Sequence, residues 1–195
     1  MKAYTQGNVD FFCSVYAIIN ACRLAMKDYK HLDFFEGCAF YQYMMQGLID
    51  KGLLEEVLYK GSDYEIMMML LARARGYLHD KYGLQLIYKR PFIDTKIPVE
   101  RALKIISQYL GRNDNAACIM RFFNPGVLDH WSVIRRAYGL TLKLMDSYNY
   151  PEMDIKKCKW APYHKDGRNY LAKEGVIFIK VAKFAEIAAS LRSSQ

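Results

Sequence analysis

The sequence predicts an α+β fold in one domain over residues 1–195, with helices first and an antiparallel sheet after them. Three observations carry this. The first half holds long segments with apolar residues at helical spacing, bounded by cap and stop residues. The second half holds short runs of alternating β-branched and aromatic residues separated by turn residues. No internal repeat and no Pro/Gly/Ser-rich linker divides the 195 residues, a length that suits one domain with a sizeable core.

Residues 11–26 form the first helix, the longest apolar stretch of the chain. Residues 33–50 form the second, stopped by Lys51-Gly52. Residues 63–80 form the third, with Asp63 placed to cap its first turn. Residues 98–110 form the fourth, between Pro98 at its start and Gly111 after its end. Strands follow at 84–90, 116–123, 129–137, 140–146 and 175–181, and a short helix at 183–192. Separate runs of helices and strands are the α+β pattern. The polar, aromatic segment 147–173 reads as a long loop, with Tyr148, Tyr150 and Trp160 placed to shape a substrate groove.

With 52% apolar and 25% charged residues, the chain is neither disordered nor collagen-like. Five cysteines, an odd number without paired spacing, point to a reducing compartment rather than a disulfide scaffold. The apolar stretch from Phe11 to Met26 contains Asn20 and Arg23 and is too short to span a bilayer comfortably. The segment before it has one Lys and one Asp, and no clean small-residue cleavage site follows the apolar stretch, so a signal peptide is not expected. A cytoplasmic location without a transmembrane segment is expected.

The net charge of +8 is spread along the chain. Its densest pieces, Lys156 to Trp160 and Arg135-Arg136, accompany no nucleic-acid motif and read as solvated loops. His31, His79 and His164 lack zinc-ligand spacing. Neither GxGxxG nor GxxxxGK[ST] occurs. No metal and no cofactor are expected. Met44-Met45 and Met67-Met68-Met69 sit among apolar helical residues and read as core.

Four residues form the candidate catalytic set: Gln6, Cys13, His130 and Asp146. Cys13 follows a turn-forming segment with Gly7, Asn8 and Asp10 and lies in the first turn of the first helix. Unpaired N–H groups and the helix dipole favour an anion there. With an imidazolium beside it, such a site brings a thiol from ~8.5 to about 3.5–7.5. Cys22 and Cys38 lie deeper in their helices and read as small core residues, and Cys118 and Cys158 have no base partner in view. The run 129–146 reads as a hairpin with Ala137-Tyr138-Gly139 at its tip. That register sets Arg136 opposite Leu140 and His130 opposite Asp146 on the core-facing side, with Ile134, Leu140, Leu142 and Leu144. Trp131, Val133, Thr141 and Lys143 fall on the other side. The carboxylate then accepts the imidazole Nδ1 proton, which makes a general base with its orienter. A His–Asp pair that only pins the hairpin is the alternative. Gln6 can donate its amide to an oxyanion beside the Cys13 N–H.

The order of these residues resembles the papain-like cysteine peptidase superfamily. Within it, the chain is most similar to stand-alone relatives of the bacteriocin-leader-processing peptidases of bacterial type. The resemblance rests on TQGNVDFFCSVYAIINA near the N-terminus and DHWSVIRRAYGLTLKLMDSYN later. It implies a papain-like fold with a Cys-His-Asp catalytic triad. Cys13 is then the nucleophile, His130 the base, Asp146 the orienter and Gln6 the oxyanion donor. Two positions depart from the pattern, Ser14 where many relatives have Gly and Ser147 where many have Pro. The activity implied is that of a thiol-dependent hydrolase, a thiol protease acting on a peptide or protein substrate through an acyl-enzyme. The same apparatus serves acyltransferases and deamidases. A non-catalytic papain-like module that binds a peptide or an anionic partner is the reading of another class. Association that survives Cys13→Ala would distinguish it.

Overall fold

A computed structural model describes residues 2–6, 11–93, 96–124, 128–161 and 170–186. Five helices and seven strands are described: α1 (Cys13–Ala25), α2 (Phe34–Asp50), α3 (Leu54–Lys60), α4 (Tyr64–Tyr82), β1 (Leu84–Lys89), α5 (Val99–Arg112), β2 (Ala116–Asn124), β3 (Leu128–Tyr138), β4 (Thr141–Met145), β5 (Glu152–Asp154), β6 (Lys159–Ala161) and β7 (Tyr170–Lys183). The strands form one sheet in the order β1-β7-β2-β3-β4-β5, with β6 added beside β7. All pairs are antiparallel except β6 with β7. The α+β expectation therefore holds, and four of the helices stand where the sequence places them.

Helix boundaries follow their caps. Asp33 and Glu36 close a reciprocal capping box at the start of α2. The Asp63 side chain accepts the Ile66 N–H at 2.9 Å and starts α4. Gly83, at φ +64°, ends α4 in the left-handed conformation that glycine adopts without a side-chain clash. The sequence reading omitted α3, a seven-residue helix too short to show periodicity. It also ran 147–173 together as a loop, although β5, β6 and a 3₁₀ turn at Ile155–Lys157 lie within it. The expected helix at 183–192 starts at Phe184, and its remainder lies outside the described residues.

α1 is apolar on nearly all sides because it is enclosed on nearly all sides. It packs against α2, α4, β2, β3 and β7. Val15, Ile18 and Ile19 of α1 share a core with Phe40 and Met44 of α2 and Met67 and Leu70 of α4. Ala117, Ile119, Trp131, Val133, Ile177 and Ile179 complete it from the sheet. The sheet is covered on both faces. Ala102, Leu103 and Ile106 of α5 pack with Phe92 and Ile155 against Cys118, Met120, Ile134, Leu142 and Leu144. The strongly amphipathic α5 needs only one apolar contact surface, and the second sheet face supplies it. This also accounts for Trp131 and Val133, which point away from Ile134 and are buried beneath α1. No helix among the described residues is long and apolar enough to cross a membrane.

The β2–β7 pairing shifts register between Ile119 and Arg121, beside the β7 residues 173–176. Gly175 lies in this irregularity, where an added Cβ would come within 2.6 Å of Arg121 Cβ and 3.1 Å of its backbone N. Neither atom can swing aside. Gly175→Ala is expected to destabilise the fold by about 1–3 kcal/mol, the usual range for overpacking. Urea unfolding checks this, and an unchanged midpoint would mean that the strand moves aside freely.

Candidate functional site

The site lies where β2 ends, β3 begins and α1 presents its N-terminus. Cys13 is the first residue of α1. The helix has no side-chain cap at Phe12 and no acidic residue in its first turn. Among the described residues, no capping or first-turn acidic side chain competes for the positive end of its dipole. The preceding turn residues Gly7, Asn8 and Asp10 lie outside the described residues.

His130 and Asp146 are both buried, and His130 Nε2 lies 2.7 Å from Asp146 Oδ2. The expected pairing is present, but its geometry differs in two ways. The hairpin turns on two residues, Gly139 and Leu140, with Tyr138 opposite Thr141 and Gly139 at φ +53°. A bulge at Arg135 follows, and Val133 then faces Met145 and Ile134 faces Leu144. Carried one residue past β4, this register sets Asp146 level with Ser132, not with His130. A displacement of two residues keeps the same face, so His130 and Asp146 meet diagonally. The second difference is the nitrogen, since Asp146 holds Nε2 rather than Nδ1. Nδ1 is buried and makes no hydrogen bond of proper geometry.

The other Asp146 oxygen, Oδ1, accepts the backbone N–H groups of Tyr148 at 2.7 Å and Tyr150 at 3.2 Å. Asn149 between them takes φ +62°, which brings both donors onto one oxygen. Burial pushes the Asp146 carboxyl up, but the His130 hydrogen bond and charge outweigh it and hold the group below the usual carboxylate range. Burial likewise opposes a charge on His130. Its interactions with Asp146 and Cys13 outweigh that and raise the imidazole from 6.5 to about 9. The ring is enclosed edge-on by Phe122 and Tyr148, each with its centroid 5.1 Å away, and by Tyr150 at 6.3 Å. The two loop tyrosines thus border the site, while the Trp160 side chain lies outside the described residues.

Gln6 is brought to the same place by the start of the chain. Its backbone N–H donates to Ser147 O at 3.2 Å, and Ser147 Oγ donates to Gln6 Oε1 at 2.8 Å. Upstream, Asn20 of α1 clasps both backbone groups of Tyr4, accepting its N–H at 2.9 Å and donating to its carbonyl at 3.0 Å. The hydrogen bond to Oε1 fixes which way the side-chain amide is turned. Gln6, Cys13 and His130 line one cavity of about 270 Å³ with Phe11, Phe123, Asp129 and Tyr148. Asp129 is held by Arg121 through two hydrogen bonds of 2.8 and 2.6 Å. A larger cavity of about 600 Å³ between the N-terminal segment and α2 contains none of the four candidate residues.

All five cysteines are free. Cys22 and Cys118 are buried, and burial raises both thiols, Cys22 to about 12. Cys38, expected in the core, is exposed on α2. Of the methionines expected in the core, Met44 and Met67 are buried, and Met45, Met68 and Met69 are half-buried at its margin. Sequence reasoning noted Ser147 only as a departure and Tyr148 and Tyr150 only as groove residues, and it missed the support given by the Ser147 hydroxyl, by Arg121 and by the Tyr148 and Tyr150 amides. Among the described residues, no group of three or more His, Cys, Asp or Glu side chains is arranged to hold a metal ion. Comparison with protein-family models, curated proteins and solved structures finds no match for this chain.

Proposed function

We propose that the chain is a thiol-dependent hydrolase with a papain-like arrangement, a cysteine peptidase in reaction class. The observation that carries the reading is the single cavity shared by Cys13, His130 and Gln6, with Asp146 bound behind the imidazole. Each group supports one step. The Cys13 thiol gives its proton to His130 Nδ1, and Sγ forms a bond to the substrate carbonyl carbon. The carbonyl oxygen takes up the electron pair between Gln6 Nε2 and the Cys13 N–H. His130 returns the proton to the departing amine as the C–N bond breaks, leaving a thioester. Water, deprotonated by His130, attacks that thioester, and the thiol leaves with a proton. Asp146 stabilises the imidazolium and holds the tautomer whose Nδ1 points at sulfur. His130 Nδ1 makes no hydrogen bond in the resting structure, and catalytic contacts commonly form or tighten only when substrate binds.

Site-resolved alkylation with iodoacetamide at pH 6 tests this. Cys13 is expected to react at least about tenfold faster than the exposed Cys38, and His130→Ala should remove the advantage. Turnover of an acyl or peptide library should then be lost in Cys13→Ala. A Cys13 that reacts no faster than Cys38, in a folded protein, would overturn the reading.

A further inference from the structure

We propose that Ser62 is a positioning residue that sets the distance between Cys13 and His130, because it binds the chain neighbours of both. This inference rests on the catalytic reading and extends it to a residue outside the cavity. Ser14 follows Cys13 directly, is fully buried, and shares a hydrogen bond of 2.6 Å with Ser62 Oγ. Trp131 follows His130 directly, is also buried, and donates its indole N–H to Ser62 O at 2.8 Å. One residue thus ties the first turn of the nucleophile helix to the strand that carries the base.

Ser62 is well anchored for this task. It lies between Gly61, which ends α3 at φ +76°, and Asp63, which caps α4. Two helices therefore hold its backbone from either side. The partner on β3 is equally confined. Tyr64 packs edge-on against Trp131 with ring centroids 5.5 Å apart. The Arg121 guanidinium lies 5.4 Å from the Trp131 ring and binds Asp129 on the other side of His130. Burying two hydroxyls in an apolar core is costly unless they find each other, and an Ala–Ala pair would fill the space without that demand. What the polar pair adds is direction, since a hydrogen bond fixes separation and angle where apolar contact tolerates sliding. A change of about 1 Å between reacting groups is enough to cost ~100-fold in rate.

The test reads the charge on His130 through two reagents at Cys13. Iodoacetate is drawn to an imidazolium and iodoacetamide is not, so the ratio of their rates falls as His130 deprotonates. The titratable groups around the imidazole are Cys13 on α1, Asp146 beyond β4, the Tyr148 and Tyr150 phenols of the following turn, and Asp129 with its partner Arg121. None is altered by the substitutions. In the unmodified protein the ratio should fall through about pH 9. In Ser62→Ala the midpoint should move at least about half a unit toward the ordinary imidazole value, about a threefold change in the ratio on that limb. Ser14→Ala cuts the same bond and should give the same shift, and the double variant should shift no further. Ser62→Thr, which keeps the hydroxyl, should restore the midpoint.

Ser107→Ala removes a hydroxyl bonded to Ala137 O, away from the site, and should leave the midpoint unchanged. Titration of His130 by NMR in Ser62→Ala, or in Ser14→Ala should the first not fold, gives the same midpoint without reference to reactivity. A lowered melting temperature with an unmoved His130 midpoint would overturn the positioning role while leaving the catalytic reading intact. Failure of the catalytic reading has its own signature, a Cys13 no more reactive than Cys38 in the unmodified protein. That result would remove this proposal too.

Discussion

Replacing Asp146 with alanine is expected to destabilise the protein by about 3–5 kcal/mol at pH 7, the range for removing one partner of a buried ion pair. Measured against a typical total of about 5–15 kcal/mol, that is a large fraction of the stability. The cost has two sources. His130, fully enclosed and raised to about 9 by its partners, loses the carboxylate that stabilises its charge. The N–H groups of Tyr148 and Tyr150 also lose their common acceptor. Asp146→Asn separates these effects. Its carbonyl can still accept from the two backbone amides, so a smaller loss is expected. Its NH₂ group then faces Nε2 and demands a lone pair there, which sends the remaining imidazole proton to Nδ1. On the proposed catalytic reading, that is the wrong tautomer for a base directed at Cys13. The Asn variant should therefore fold and yet lose the rapid alkylation of Cys13. Urea unfolding and site-resolved labelling of both variants check this. A loss under about 1 kcal/mol in the alanine variant would show that the pair contributes little to the fold.

The legibility of this protein differs between its two halves for physical reasons. Helix limits could be read where a side chain takes a backbone group, as at Asp63, because such a cap is local in sequence. β7 was readable as a strand, but not its position between β1 and β2. That insertion depends on contacts between residues distant in sequence, for which alternation carries no signal. The hairpin register was misread because the turn and a bulge both depart from the expected pattern, in opposite senses. A two-residue turn replaces the three-residue loop, and a bulge at Arg135 adds a residue back. Their net displacement is two, so the face assignment of His130 and Asp146 survived while the opposite pairing did not. The choice of Nε2 over Nδ1 could not be read, since it depends on which side of the ring the 146–150 turn approaches. Ser14 and Ser147, visible only as departures from a pattern, each prove to have a specific partner, Ser62 and Gln6.

The stability of the protein is expected to fall on both sides of neutrality, with His130 responsible for the alkaline limb. Its folded-state value of about 9 lies above the 6.5 of an unconstrained imidazole. The folded state therefore holds a proton that the unfolded chain releases between those two values. The stabilisation is fully present below about pH 6.5 and is lost progressively as pH rises through about 9. A displacement of that size corresponds to about 3 kcal/mol. Asp146 contributes the opposite limb. Its folded-state carboxyl lies below its ordinary value, so its contribution is present above that value and lost as pH falls through the depressed one. Urea unfolding between pH 6 and 10 should show the alkaline decline. His130→Gln, which carries no titrating proton, should flatten it while lowering stability at pH 6. A decline of the same size in His130→Gln would assign the alkaline limb to other groups. It would also mean that His130 does not hold its proton in the folded state, which would remove the imidazolium from the resting site.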